Sequence, residues 1–170
     1  MDSFECAIQI AAAPAVVIDT FWRPERWPSA AAHVRNVEIA YQDDNVQVLW
    51  FSVASDGRVD RFKSIRVLHR DSILFYQPAP PPFLEVHSGR WTFRATSEGT
   101  TVTVVHRVEV NVRAARVLPV CAGLDHDGVR QQLQSLITSN SLQTMRALKG
   151  LLETAQETTD DHSSVAAAAR

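Results

Sequence analysis

The stretch VRQQLQSLITSNSLQTMRALKGLL, residues 129–152, decides the fold. Val129, Leu133, Leu136, Ile137, Met145, Leu148, Leu151 and Leu152 recur at i, i+3 and i+4 steps, with Gln and Arg residues between them. That is the period of a helix with one apolar stripe. Asp125 and Asp127 are both placed to cap its start, and Gly150 weakens it near the far end. Upstream, from Val34 to Val110, the period falls from helical to two. Strands are predicted over residues 34–41, 47–53, 58–68, 73–77, 85–95 and 100–110. Between them lie turn signals: Asp43-Asp44-Asn45, Asp56-Gly57, Arg70-Asp71, Pro80-Pro81-Pro82 and Glu98-Gly99. Such short connectors join only antiparallel neighbours. Before this meander, residues 4–10 alternate as one more strand. Pro14 then opens a short helix carrying Val17, Ile18 and Phe21, Pro24 stops it, and a second short helix covers about residues 24–32. The class is therefore α+β. A curved antiparallel sheet of about seven strands must cover its apolar face, and one long C-terminal helix is the only large element left to do so. A sheet gripping a helix in this way leaves room for a cavity between them.

Composition narrows the function. The chain has 170 residues, 45% of them hydrophobic and 21% charged, which suits one globular domain and argues against disorder or a disulfide scaffold. That domain is read over residues 1–154, and residues 155–170, rich in Thr, Asp, Ser and Ala, are read as a disordered tail. Lys plus Arg total 17 against 19 for Asp plus Glu, so no basic footprint for nucleic acid exists. The start, Met1-Asp2-Ser3-Phe4-Glu5, has no basic leader, and no apolar run is long enough to span a bilayer. Cys6 and Cys121 sit in apolar settings without CxxC spacing, as buried thiols in a reducing cytoplasm would.

The inner faces of the predicted strands carry the candidate chemistry. In the strand over 58–68, period two sets Phe62, Ser64, Arg66 and Leu68 on one face. A guanidinium cannot shed its charge, so Arg66 must reach the rim, pair with an acid, or point into a polar cavity. His106 shares parity with Val102, Val104, Val108 and Val110, and His87 with Gly89, Trp91 and Phe93, although a bulge at Gly89 would flip it. For His33, His87 and His106 two readings stand side by side: a hydrogen-bonded core residue, or a proton carrier titrating near neutrality. The aromatic set of Trp27, Trp50, Phe62, Tyr76, Trp91 and Phe93 supplies either ordinary core or flat cavity walls. Asn140 interrupts the apolar stripe of the long helix, so its amide needs a partner, from the sheet backbone or from a ligand carbonyl. The segment Pro78-Ala79-Pro80-Pro81-Pro82-Phe83 is a stiff connector or a gate at one end of the cavity. No G-x-S-x-G, P-loop or G-x-G-x-x-G motif occurs, and no histidine pair has metal-ligand spacing, so no metal or other cofactor is expected.

The order of elements, with Arg26-Trp27-Pro28 after the first helix, resembles the helix-grip superfamily of START and Bet v 1-like proteins, and within it the bacterial polyketide aromatase/cyclases. The resemblance covers about residues 3–154. It is carried by the stretch from His33 to Glu38, by Gly57-Arg58-Val59, by the stretch from Phe62 to Leu68, by Gly89-Arg90-Trp91-Thr92-Phe93 and by the helical region from Asn140 to Met145. It implies regioselective aldol closure and dehydration of a poly-β-ketone held on an acyl carrier protein, in a monomer or weak homodimer. Arg66 falls on the family's cavity arginine and Ser64 on its neighbouring hydroxyl, while Trp27 and Phe62 match lining positions. The resemblance extends the substrate-binding set to Val34, Trp50, Trp91, Phe93 and Asn140. Where the tetracenomycin-type cyclases carry a tyrosine, this chain has Val34 beside His33, so a tyrosine acid gives way to His33. Rival readings are a non-catalytic carrier or resistance protein for a hydrophobic metabolite or lipid, and a co-chaperone with a collapsed groove.

Overall fold

In the computed structural model residues 1–55 and 57–168 are described, with side chains through Thr154. The tail read over residues 155–170 lies outside the described side chains. Seven antiparallel strands form one sheet: β1 (Asp2–Ile10), β2 (Val34–Gln42), β3 (Val46–Ser55), β4 (Arg58–His69), β5 (Ser72–Ala79), β6 (Leu84–Thr96) and β7 (Gly99–Val110). Their order across the sheet is β1-β7-β6-β5-β4-β3-β2. Consecutive strands from β2 to β7 are therefore neighbours, as the short connectors require, and β1 closes the far side against β7. In the turn between β3 and β4, Gly57 adopts a φ of +75°, the left-handed region in which glycine is at ease. Asp56, its partner in the expected turn, lies outside the described residues.

Helix α1 (Pro14–Trp22) follows β1, with Pro14 in its first turn. The second short helix is more broken than the sequence suggests. A 3-10 turn at Pro24–Arg26 leads into a single helical turn, α2 (Trp27–Ala30), because Pro24 and Pro28 each remove a backbone donor within five residues. Strand β5 also runs further, through Pro78 to Ala79. It can do so because the β4–β5 register shifts between Lys63 and Ile65, setting Gln77 and Pro78 opposite Ser64 where no ladder donor is needed. A one-turn helix, α3 (Val112–Ala115), and a 3-10 turn at Pro119–Cys121 fill the approach to the long helix, and neither has a periodic signal of its own.

The long helix is α4 (His126–Ala168). Asp125 caps it: its Oδ1 accepts from the Gly128 backbone N–H at 2.8 Å, and its carbonyl accepts from Val129. Arg130 pairs with Asp2 at the start of β1, and Lys149 Nζ donates to the Gln9 carbonyl at 2.8 Å near its end. These two clamps lay α4 along β1 and across the concave face of the sheet. The helix-grip arrangement is thus present, and it holds two apolar clusters rather than one. One joins Phe21, Leu49, Phe93 and Val102 to Met145, Leu148 and Leu152. The other joins Phe83, Leu84, Val108 and Leu118 to Val129, Leu133 and Ile137. Between them lies a hollow.

Candidate active site

The hollow has a cavity volume of about 160 Å³ and meets α4 at Leu136, Ile137, Asn140, Ser141 and Thr144. Its walls include Trp27, His33, Val34, Phe62, Ser64, Arg66, His87, Trp91, His106 and Asn140, all candidates from the sequence. Three others do not line it, and one of them, Tyr76 of the aromatic set, is exposed and belongs to neither core nor cavity wall. Trp50 alternates with the inward residues Leu49 and Phe51 and so stands on the outer face, where Arg61 Cζ lies 4.2 Å from its ring centre. Phe93 does point inward but belongs to the first core cluster, with its ring 5.3 Å from that of Phe21. The same parity that turns Trp50 outward brings Phe51 into the wall, stacked on Phe62 at 5.4 Å.

Arg66 forms one polar pole. It is buried to 3% exposure, yet the groups that accept its hydrogen bonds are uncharged oxygens. Nη1 donates to Gln47 Oε1 at 3.0 Å and Nη2 to the Phe21 carbonyl. Gln47, paired across the strands with Arg66, is itself held by donation to the Trp22 carbonyl at 2.8 Å. Phe21 and Trp22 end α1, so of the carbonyls left over at that helix C-terminus, its negative pole, one meets the guanidinium directly and the next holds Gln47 against it. The rings of Trp22 and Trp27 lie 5.3 and 5.5 Å from Cζ and add cation–π attraction. Burial pushes the pKa down to about 9, which still leaves the group charged at neutral pH. Ser64, buried on the same strand face, is its neighbour in the wall.

A chain of side chains forms the opposite pole. Gln77 Oε1 lies 3.0 Å from His87 Nδ1, His87 Nε2 lies 3.0 Å from His106 Nδ1, and His106 Nε2 lies 2.9 Å from Ser141 Oγ. An amide oxygen only accepts, so Nδ1 of His87 carries the proton and its Nε2 is the acceptor. The same logic then makes His106 Nδ1 a donor and His106 Nε2 the acceptor of the Ser141 hydroxyl. Burial, with the second ring adding to it at His87, lowers both pKa values, to about 3 for His87 and about 4 for His106. Both imidazoles are neutral at pH 7. The register shift at Leu84/Val86 lies before His87, so His87 keeps the parity of Trp91 and faces inward. Gly89 makes the packing possible, because a Cβ there would come within 2.5 Å of the Phe75 ring, which stands edge-on to both histidines.

His33 stands apart from that chain. Its Nε2 is 2.8 Å from Thr144 Oγ1, and the Thr144 hydroxyl donates to the Asn140 carbonyl, so the ring nitrogen is the donor. Nδ1 is left as an enclosed acceptor without a partner. Burial lowers its pKa as well. Asn140 Nδ2 donates to Ser55 Oγ at 3.3 Å, a side-chain partner rather than the sheet backbone. Gln47, Gln77, Ser141 and Thr144 were not singled out in the sequence, although Ser141 and Thr144 fall at helical steps from Ile137 and Asn140. Among the described residues no group of three or more His, Cys, Asp or Glu side chains is placed to hold a metal, and no helix is long and apolar enough to cross a membrane.

Comparison with known proteins gives this site a family. Residues 10–135 match the model of the polyketide cyclase/dehydrase and lipid transport family. The chain belongs to that family. A granaticin polyketide synthase bifunctional cyclase/dehydratase from Streptomyces virginiae is 30% identical over 142 residues, 82% of this chain and 46% of that relative. The di-domain aromatase/cyclase StfQ of steffimycin biosynthesis superposes with a TM-score of 0.82 at 24% identity, over 91% of this chain and 52% of that one. The Zhui aromatase/cyclase from Streptomyces sp. R1128 superposes with a TM-score of 0.77 at 22% identity, over 89% of this chain and 93% of that one, and shares the fold. The chain spans about half the length of the curated relative it matches.

Proposed function

We propose that this family member is an aromatase/cyclase, which closes a ring in a linear poly-β-ketone by aldol addition and then removes water. The observation that carries the proposal is a permanently charged Arg66, braced by helix carbonyls, facing the same hollow as a neutral two-histidine chain. Methylenes between two carbonyls are acidic, so the harder demands are orientation and stabilisation of oxygen charge. Orientation contributes ~7–11 kcal/mol in favourable cases, and one well-placed donor to a developing oxyanion ~3–4 kcal/mol. Arg66, with Ser64 beside it, donates to the carbonyl under attack. Trp27, Phe62 and Trp91 fix the folded chain between flat walls, and Val34 and Asn140 complete them.

Protons move at the other pole. Removal of a methylene proton gives an enolate, whose carbon attacks the carbonyl held by Arg66, and the alkoxide is then protonated. Elimination of that hydroxyl with a neighbouring hydrogen releases water and forms one ring double bond, and enolisation of the remaining ring ketones makes the ring aromatic. His106 takes a proton through Ser141 and, having a low affinity for it, returns it readily to the departing hydroxyl. His33 Nδ1 is a second acceptor. The substrate arrives on an acyl carrier protein, and the enzyme works in the cytoplasm as a monomer or weak homodimer. A simple carrier of apolar ligands has no use for this many buried polar groups. The test is reconstitution with a ketosynthase and carrier protein. Arg66→Ala should stay folded and lose the regioselective product, and a wild-type product profile from that variant would defeat the mechanism.

A further inference from the structure

Gln77 ends the histidine chain with half of its amide unused. The residue is only 6% exposed and lines the hollow. Its Oε1 accepts from His87 Nδ1 at 3.0 Å, while among the described residues its Nε2 meets no acceptor. A buried amide donor without a partner is costly, and native proteins rarely keep one. Three unpartnered atoms are sealed away altogether, His33 Nδ1 and the Nη1 and Nη2 of Arg58, and Gln77 Nε2 is not among them. Its NH2 group therefore keeps access to the hollow that its side chain lines. Gln77 stands one inward position along β5 from Phe75, the partner of Arg66, and the register shift sets it opposite Ser64. The unused donor thus adjoins the place where Arg66 and Ser64 receive a carbonyl.

We propose that Gln77 Nε2 is a substrate-contacting donor, which holds the carbonyl next along the chain from the one received by Arg66. The inference deepens the reading of the hollow as a poly-β-ketone site and rests on it. One anchored carbonyl leaves the chain free to run either way from Arg66, and a second fixes its direction. The two donors differ in kind. A guanidinium polarises a ketone more strongly than an uncharged amide does, so the carbonyl at Arg66 is the one attacked and the one at Gln77 is only held. The same amide also sets the direction of the proton chain. A carbonyl on Nε2 and the proton on His87 Nδ1 require one and the same orientation of the group. Turning it over would reverse every donor and acceptor from His87 to Ser141. Bound substrate thereby secures the arrangement in which Ser141 donates to His106.

The test joins a titration of intrinsic tryptophan fluorescence to nitrogen NMR of the full chain with labelled histidines. The two ligands are a naphthalene bearing a 1,3-diketone and 2-butylnaphthalene, its counterpart without oxygens. Gln77→Leu should weaken the diketone by about tenfold and leave 2-butylnaphthalene unchanged. Gln77→Met, closer in shape and equally without a donor, should show the same selective loss and serves if Gln77→Leu does not fold. In the wild-type protein the NMR signals should place the proton on Nδ1 of both His87 and His106, a result that needs no variant. Protons on Nε2 of both rings would mean that the amide oxygen faces the hollow, and would overturn the proposal. Equal changes for both ligands, or none with Gln77→Leu while Arg66→Gln weakens the diketone, would overturn it as well and leave the cavity reading standing. Failure of the wild-type protein to bind either ligand would overturn both.

Discussion

Arg66 and His106 stand in one cross-strand row of the sheet, three strands apart, with Phe75 and Gly89 between them. At ordinary strand spacing that is about 14 Å, so a substrate carbonyl held at one pole lies a ring or two away from the proton carrier at the other. The row continues outward to Gln47 on one side and Phe4 on the other, which places the bracing residue of Arg66 and the stacking partner of His106 on the same line.

Arg66→Lys keeps the charge but cannot reach both Gln47 Oε1 and the Phe21 carbonyl. Its turnover should fall by about 10²–10³, the usual cost of losing one oxyanion donor. Rate and product distribution in the reconstituted system measure this, with thermal melting as the control for folding.

Ser141→Ala removes the hydroxyl that ends the histidine chain. If protons pass through it, turnover should drop by about 10²–10⁴ with ligand affinity in the fluorescence titration unchanged, and Ser141→Thr should restore much of the rate. Unaltered turnover in Ser141→Ala would place proton transfer at His33 instead.

The lowered pKa values of His87 and His106 make stability depend on pH with a defined sign. Between their folded values, about 3 and 4, and the unfolded value of 6.5, the unfolded chain binds more protons than the folded one. Stability is therefore fully present above that unfolded value and is lost as pH falls through the window. Urea unfolding should show a loss of at least about 2 kcal/mol between pH 7 and pH 5. A His87→Gln, His106→Gln double variant should show a visibly flatter dependence over the same range.

Gly89→Ala tests the packing beneath the histidines. Its Cβ would fall 2.2 Å from the Val105 carbonyl and 2.5 Å from the Phe75 ring, so stability should fall by about 1–3 kcal/mol or more. Phe75→Leu should relieve part of that loss in a double-mutant cycle, because one of the two obstructions is removed and the backbone one remains.

The sequence revealed most of the fold because its signals are periodic. Alternation in β4 set Ser64 and Arg66 inward, and the stripe from Val129 to Leu152 named the helix that covers them. It misled where polarity and direction part company. Gln47 faces inward because Arg66 and the Trp22 carbonyl need it, and its parity sends Trp50 outward. Gln77, Ser141 and Thr144 are neutral hydrogen-bonding groups whose spacing, even at a helical step, names no partner, and only the pairing of β5 with β6 and the packing of α4 on the sheet bring them to His87, His106 and His33. Parity placed His87 and His106 on the inner face, but nothing in their spacing says that the two rings touch.

The hollow lies between two separately sealed apolar plugs, each anchored to its own half of α4. A change at Asn140, Ser141 or Thr144 subtracts little from either plug. The scaffold can therefore be retuned to longer, shorter or differently folded chains without first repairing what keeps it standing, which makes the middle turns of this helix the natural place to redirect ring pattern.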